Sequence, residues 1–137
     1  MPVSFLQANF DLNTDYGGAT PATIYAALTT SAPTFTGGGT IVEPTNAQYN
    51  GYARVAIANN HTNWPAAANG SISNGIQIIF PVAGSGSVNN TPLTHLVFMT
   101  ASSGGNIMDA LALPSGTVII TGQALSFQIG SVIISES

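Results

Sequence analysis

The sequence has no cysteine and a single cation, Arg54, set against five acids, for a formal net charge of −4 over 137 residues. Without cysteine there are no disulfide staples, no thiolate chemistry and no cysteine-based zinc site. One cation cannot build a phosphate-neutralising face, so nucleic acid is not an expected partner. Charged residues make up 4% of the chain, against roughly 25% in ordinary soluble proteins. Long hydrophobic runs are missing too. Stretches such as Val118-Ile119-Ile120 and Val132-Ile133-Ile134 fall far short of the roughly 20 residues a membrane helix needs, and no membrane partner is expected. The opening MPVSFLQANFD has neither a basic n-region nor a long apolar h-region, so no secretory signal is expected. No repeat of solenoid or propeller length is visible.

What the chain does have is 45% hydrophobic residues, with polar positions dominated by Ser, Thr, Asn and Gln. Disordered chains combine low hydrophobicity with high charge, and this one has neither. The length suits one domain, residues 1–137, with residues 1–20 as a segment packing on it or on a neighbouring copy. Neutral polar groups hydrate a surface but set up little repulsion between copies. Such a skin tolerates close approach of many identical chains and favours a protein that works in an assembly.

Short apolar clusters bounded by turn residues point to about eight strands. Thr23 to Thr29 follows Pro21 and precedes Pro33. In Tyr52 to Ile57, period two sets Val55 and Ile57 on one face and Arg54 on the other. Further strands are expected at Ile76 to Phe80, Thr94 to Thr100, Ile107 to Leu113, Thr117 to Thr121, Ala124 to Ile129 and Ser131 to Ser135. The last three, linked through Gly122 and Gly130, suggest a meander. The fold class expected is all-β, an antiparallel β-sandwich or jelly roll.

Asn50-Gly51, Asn69-Gly70 and Asn74-Gly75 supply residues that accept positive φ in tight turns. At the N-terminus, Ser4 is placed to cap a short helix with Phe5, Asn9 and Leu12 on one side. An extended arm, Val3 to Phe10, pairing with a neighbouring copy is the alternative.

Catalytic chemistry has little to draw on. The acids and histidines are Asp11, Asp15, Glu43, His61, His95, Asp109 and Glu136, besides Arg54. A Ser-His-Asp arrangement using His95 and Asp109 is combinatorially open, but the strained Gly-x-Ser-x-Gly elbow is absent. A histidine in an apolar strand is more simply a half-buried, hydrogen-bonded residue. The two histidines are far apart and no metal-ligand spacing occurs. Glycine clusters at 37–39 and 84–86 lack the lysine and the following helix of a phosphate loop, and five scattered acids are a poor supply for glycoside hydrolysis. No catalytic, cofactor-binding or metal-binding residue is therefore expected. Trp64, the only tryptophan, either plugs one end of the core or stands exposed to stack on a sugar, and the plug is the simpler reading.

Several stretches together are similar to a family of phage virion proteins, tail-fibre-like or capsid-decorating. They are Pro21 to Pro33 followed by Gly37-Gly38-Gly39-Thr40, then Gly51-Tyr52-Ala53-Arg54-Val55-Ala56, then Asn63-Trp64-Pro65-Ala66-Ala67. Ser71-Ile72-Ser73-Asn74, Ile79-Phe80-Pro81, Gly104-Gly105-Asn106 and Leu125-Ser126-Phe127 complete the series. The resemblance covers about residues 20 to 135 and implies a non-enzymatic β-sandwich component of a virion.

On that resemblance the leading expectation is a capsid cement or decoration protein. It would be a homotrimer on the outer capsid surface of the virion, made in the host bacterial cytoplasm. It would clamp the major capsid protein and its own siblings through loops at Phe35 to Asn46 or Trp64 to Asn69. The alternative is a tail-fibre or receptor-binding module that touches host surface glycans.

Overall fold

A computed structural model describes residues 13, 15–18 and 21–135. Eight strands follow in order: β1 (Thr23–Thr29), β2 (Val55–Ala58), β3 (Ser71–Ser73), β4 (Ile78–Ile79), β5 (His95–Met99), β6 (Ile107–Ala112), β7 (Ser126–Phe127) and β8 (Ile133–Ser135). A single 3-10 turn lies at Thr36–Gly38. The strands form a four-stranded sheet, ordered β2-β1-β5-β6, and two strand pairs, β3-β8 and β4-β7. The all-β class and the eight-strand count agree with the expectation from sequence. The helix or arm expected around Ser4 to Leu12 lies outside the described residues.

The chain divides into two compact units, residues 1–24, 57–78 and 127–137 in the first and residues 25–56 and 79–126 in the second. In the second, β5 is central, antiparallel to β1 with Ala27 opposite Val97 and antiparallel to β6 with Val97 opposite Ala110. Leu96 to Met99 are all buried, because both faces of a central strand are covered. Ala27, Val97 and Met99 pack on one face with Tyr25, Ile41, Ile107 and Ala110 against them. At the sheet edge β6 has no fully buried residue. Its register with β5 slips between Phe98 and Met99, so Met108 is the extra, bulged residue.

In the first unit β3 and β8 pair antiparallel, Ile72 opposite Ile134. Both isoleucines are buried, as is Trp64, whose ring centroid lies 4.7 Å from that of Tyr16. Residues 13 and 15–18 are tied to the loop after β2. Asn59 donates to the carbonyls of Asp15 (3.0 Å) and Pro21 (2.8 Å) and accepts from the Gly17 amide, while Asn13 Oδ1 accepts from Ala67 N (2.9 Å).

The three C-terminal segments do not form the expected meander. Phe80 N donates to Leu125 O, Asn90 N to Ile119 O and Asn74 N to Val132 O. Each segment lies beside an earlier part of the chain, and Gly122 N donates to Ala83 O instead of closing a hairpin. Residues 117–121, expected as a strand, contribute only an isolated bridge from Val118 to Pro92.

Asn69 and Gly70 form the tight turn expected of them, with φ of 54° and 78°. Ala68 and Ser71 exchange backbone hydrogen bonds of 2.9 and 3.0 Å across it, the pattern of a type I′ turn. Alanine at Asn69 is expected to cost about 1 kcal/mol, because an L-residue with a Cβ is strained at positive φ and loses asparagine's local tolerance. Glycine there should leave stability within a few tenths of wild type, and chemical denaturation of the two variants checks the contrast. Asn74-Gly75 departs from expectation. Neither residue takes positive φ, and Asn74 is buried, 1% exposed, as a bracket between segments.

Candidate functional site

The chain's one cation is not on a solvent face. Arg54 immediately precedes β2, and its side chain is 5% exposed. Its guanidinium grips Glu43 with two parallel bonds, Nε to Oε1 at 2.9 Å and Nη2 to Oε2 at 3.0 Å. The remaining terminal nitrogen, Nη1, donates to two carbonyls of the β5–β6 turn, Ala101 O at 2.6 Å and Gly104 O at 2.9 Å. Tyr52 completes the cluster: its hydroxyl donates to Glu43 Oε1 (2.7 Å) and accepts from Leu28 N on β1 (3.0 Å). The local sequence explains the gathering. The residue two positions before Arg54 points to the same side of an extended segment, so Tyr52 and Arg54 meet Glu43 together.

The electrostatics follow from this geometry. Burial works to raise the Glu43 pKa, but hydrogen bonds from Arg54 and Tyr52 and the guanidinium charge outweigh it and hold the carboxyl below its ordinary value. Burial, reinforced by the Glu43 carboxylate it donates to, pushes the Tyr52 phenol far up, so it stays a neutral donor. Burial likewise raises Tyr49, which donates to Pro81 O and packs edge-on against Tyr52 at 5.3 Å. Tyr52 in turn stacks on Phe80 at 6.4 Å.

The turn held by Arg54 is fixed from within as well. Thr100 N donates to Asn106 O (3.1 Å), and Asn106 N donates to Thr100 Oγ1 (2.9 Å). Gly104 and Gly105 both take positive φ, 61° and 78°. A Cβ on Gly105 would meet Thr100 Oγ1 and the Ala101 Cβ, each at 2.9 Å, so only glycine fits. Outside this scaffold, Ser102, Ser103, Gly104, Gly105 and Asn106 are all exposed.

The groups once paired as a possible catalytic set are not brought together. His95 faces Ala112 across the sheet and Asp109 faces Phe98. Positions three apart on β6 are about 10 Å apart and on opposite faces. His95 is half-buried and its Nδ1 is bonded to Thr94 Oγ1 at 3.0 Å. His61 is exposed, with Nδ1 at 2.8 Å from Trp64 O. Among the described residues no three His, Cys, Asp or Glu side chains gather as a metal site. Trp64 is fully buried, so it is a core plug and no sugar-stacking platform. In the loop expected to make contacts, Phe35 is 66% exposed. Among the concavities of the described residues are one of about 70 Å³ beside Tyr49, Ile119 and Leu125 and a shallow groove of about 290 Å³ beside Pro65, Ser71 and Ile133.

Sequence reasoning named Arg54 but missed its partners and the turn beneath it. The available signal was arithmetic: in a chain with one cation, any buried ion pair must use Arg54, and Glu43 lies closest to it in sequence among the acids.

No curated protein matches the chain. The family model described as Podophage GP4 fiber I protein gp80 matches residues 12–135. That span is nearly the whole chain and includes the Arg54 cluster, the held turn and the Trp64 plug. The chain belongs to this family of phage virion structural proteins, the podophage fiber I proteins.

Proposed function

We propose that the chain is a building block of a podophage fibre, acting by protein–protein contact as a homo-oligomer and without catalysis. The family match over residues 12–135 carries this reading. The surface chemistry supports it. With Arg54 buried against Glu43, the chain has no other lysine or arginine, so identical copies meet with little charge to desolvate. The expected oligomer is a homotrimer, the closed ring that gives a fibre a three-fold axis. A cement role against the major capsid protein on the outer capsid surface would use the same neutral skin, but the fibre name of the family favours the tail.

Immunogold labelling of intact virions with an antibody to the purified chain separates these roles. Label along the fibres is the expected result. Label spread over the shell would replace the fibre reading with the cement one, and unlabelled virions would remove both. Light scattering of the purified protein should return three times the 13.9 kDa chain mass.

A further inference from the structure

We propose that Phe35, near the tip of the hairpin between Thr34 and Thr40, is a knob that seats in the groove over the β3–β8 pair of a second copy of this chain. Each chain then gives one surface and receives at the other. This contact rests on the homo-oligomer reading and adds to it the two surfaces that meet.

The knob is held in place before any partner arrives. Phe35 is 66% exposed, yet its hairpin is bonded along its length. Thr34 and Thr40 exchange backbone hydrogen bonds of 3.0 and 2.8 Å, and Gly39 N donates to Thr36 O (3.2 Å) across the tip. At the base Thr30 N donates to Val42 O (2.9 Å), and Ile41 anchors the returning arm against Ala27, Val97 and Met99. Aromatic rings are enriched where proteins meet, and one carried on an ordered hairpin loses less entropy when it is buried.

The receptacle is the uncovered face of a two-stranded sheet. Ile72 and Ile134 are buried on one face of the β3–β8 pair. Cross-strand partners share a face, so Ser73 and Ile133 stand together on the other, with Ile133 56% exposed. These two line the groove together with Pro65, Ala66 and Gly130. Volume decides what fits. An apolar cavity of about 150 Å³ admits a benzene ring, so the groove of about 290 Å³ has room for a phenyl ring and the concavity of about 70 Å³ does not.

Charge points to a second copy as the occupant. No Asp, Glu, Lys or Arg lies between Asp15 and Glu43, between Arg54 and Asp109, or between Asp109 and Glu136. Hairpin and groove both fall inside these gaps, so a charged ligand has nothing there to pair with. The chain carries a formal −4 and its one cation is held by Glu43, so two copies repel except where both surfaces are neutral. An uncharged ring and an uncharged groove on every chain meet that condition. They are also two different patches, which a head-to-tail ring needs and a self-matching dimer does not.

Because the chain has no cysteine, thiol cross-linking reads only the positions chosen for it. Thr36→Cys, beside Phe35 on the hairpin, and Ala66→Cys, at the groove, are introduced into the full chain, which is then treated with a short bismaleimide. On a denaturing gel the doubly substituted chain should give covalent species up to the trimer. The two single variants mixed should stop at the dimer, and each alone should run as one chain. Phe35→Ser and Ile133→Thr should each weaken association about tenfold or more in sedimentation, with unchanged far-ultraviolet circular dichroism. Combined, they should do no more than the worse of the two, since both empty one contact. A trimer that forms no cross-link between chains, a single variant that cross-links to itself, or losses that multiply would overturn the contact and leave the homo-oligomer reading standing. Wild-type protein that scatters light as a monomer would remove that reading and the contact with it.

Discussion

Asn74→Leu is expected to destabilise the protein by about 3–6 kcal/mol, a large part of the 5–15 kcal/mol that holds a typical domain folded. Asn74 lies just after β3 and is 1% exposed. Its Oδ1 accepts from Val132 N at 3.0 Å, and its Nδ2 donates to Ile76 O at 2.8 Å and Gln128 O at 2.9 Å. Its backbone adds bonds with Val132 O and from Gly130 N. Leucine has similar volume, so packing changes little, but three backbone groups lose their partner, and the Val132 amide loses it at a buried site. Each such orphan costs about 1–3 kcal/mol. Asn74→Asp is the sharper control: it keeps the acceptor for Val132 N but turns a carboxylate oxygen toward two carbonyls. It should be at least as damaging near neutral pH and partly relieved in acid, where a protonated carboxyl can donate to one of them. Urea denaturation of both variants measures the effect, and amide exchange should show opening concentrated in 128–135. A loss under about 1 kcal/mol would mean that water replaces the side chain's bonds, and the bracket would not be a major support of this unit.

Asn74 also shows where sequence reading reaches its limit. The Asn-Gly pair was sound grounds for a turn, and at Asn69-Gly70 the same chemistry produced one. The two pairs differ in what surrounds them. Asn69 sits at an exposed loop tip, whereas the buried Asn74 amide found three backbone partners, two of them more than fifty residues away. Local propensity contains no information about such partners. Strands fared similarly. Thr23–Thr29 was legible to the residue, and β5 and β6 nearly so, because largely apolar stretches of strand length between turn residues leave few alternatives. Ser71–Ser73 was missed because three residues with one apolar side chain have no readable period. Val118-Ile119-Ile120 looked like a strand but meets residues 90–93 only through an isolated bridge and a few backbone bonds, since apolar content alone does not secure a regular ladder.

The site was legible in pieces. Period two correctly set Arg54 apart from Val55 and Ile57, while the turn at Gly104-Gly105 went unread. Strand period does not say what covers the polar side. Glu43 and the carbonyls of the turn cover that side, so the arginine is buried and bonded on all its faces. Trp64, by contrast, was placed correctly as a plug from its apolar bulk.

Arg54→Met is expected to cost about 3–5 kcal/mol, the price typical of removing one member of a buried ion pair. Methionine fills part of the space, but Glu43 keeps a carboxylate whose remaining donor among the described residues is Tyr52, and Ala101 O and Gly104 O lose theirs. Glu43→Leu should be comparably harmful, because the guanidinium, 5% exposed, would be left without its counter-charge. The two losses should not add. Arg54→Met/Glu43→Leu removes both charges together and should lie within about 2 kcal/mol of wild type, giving a strong coupling in the double-mutant cycle. The acid limb of the stability curve supplies an independent check. Arg54 and Tyr52 hold the folded Glu43 carboxyl below its ordinary value of 4.5, so at low pH the unfolded chain takes up this proton first. The contribution of the pair is fully present above about pH 4.5 and is lost as pH falls through the folded value. Wild type should therefore lose stability in that window more steeply than the double variant, in which no carboxylate remains at position 43. Denaturation midpoints at matched pH decide the matter: parallel acid limbs, or single losses that simply sum, would mean that the pair is solvated and that the turn is held by its own internal bonds.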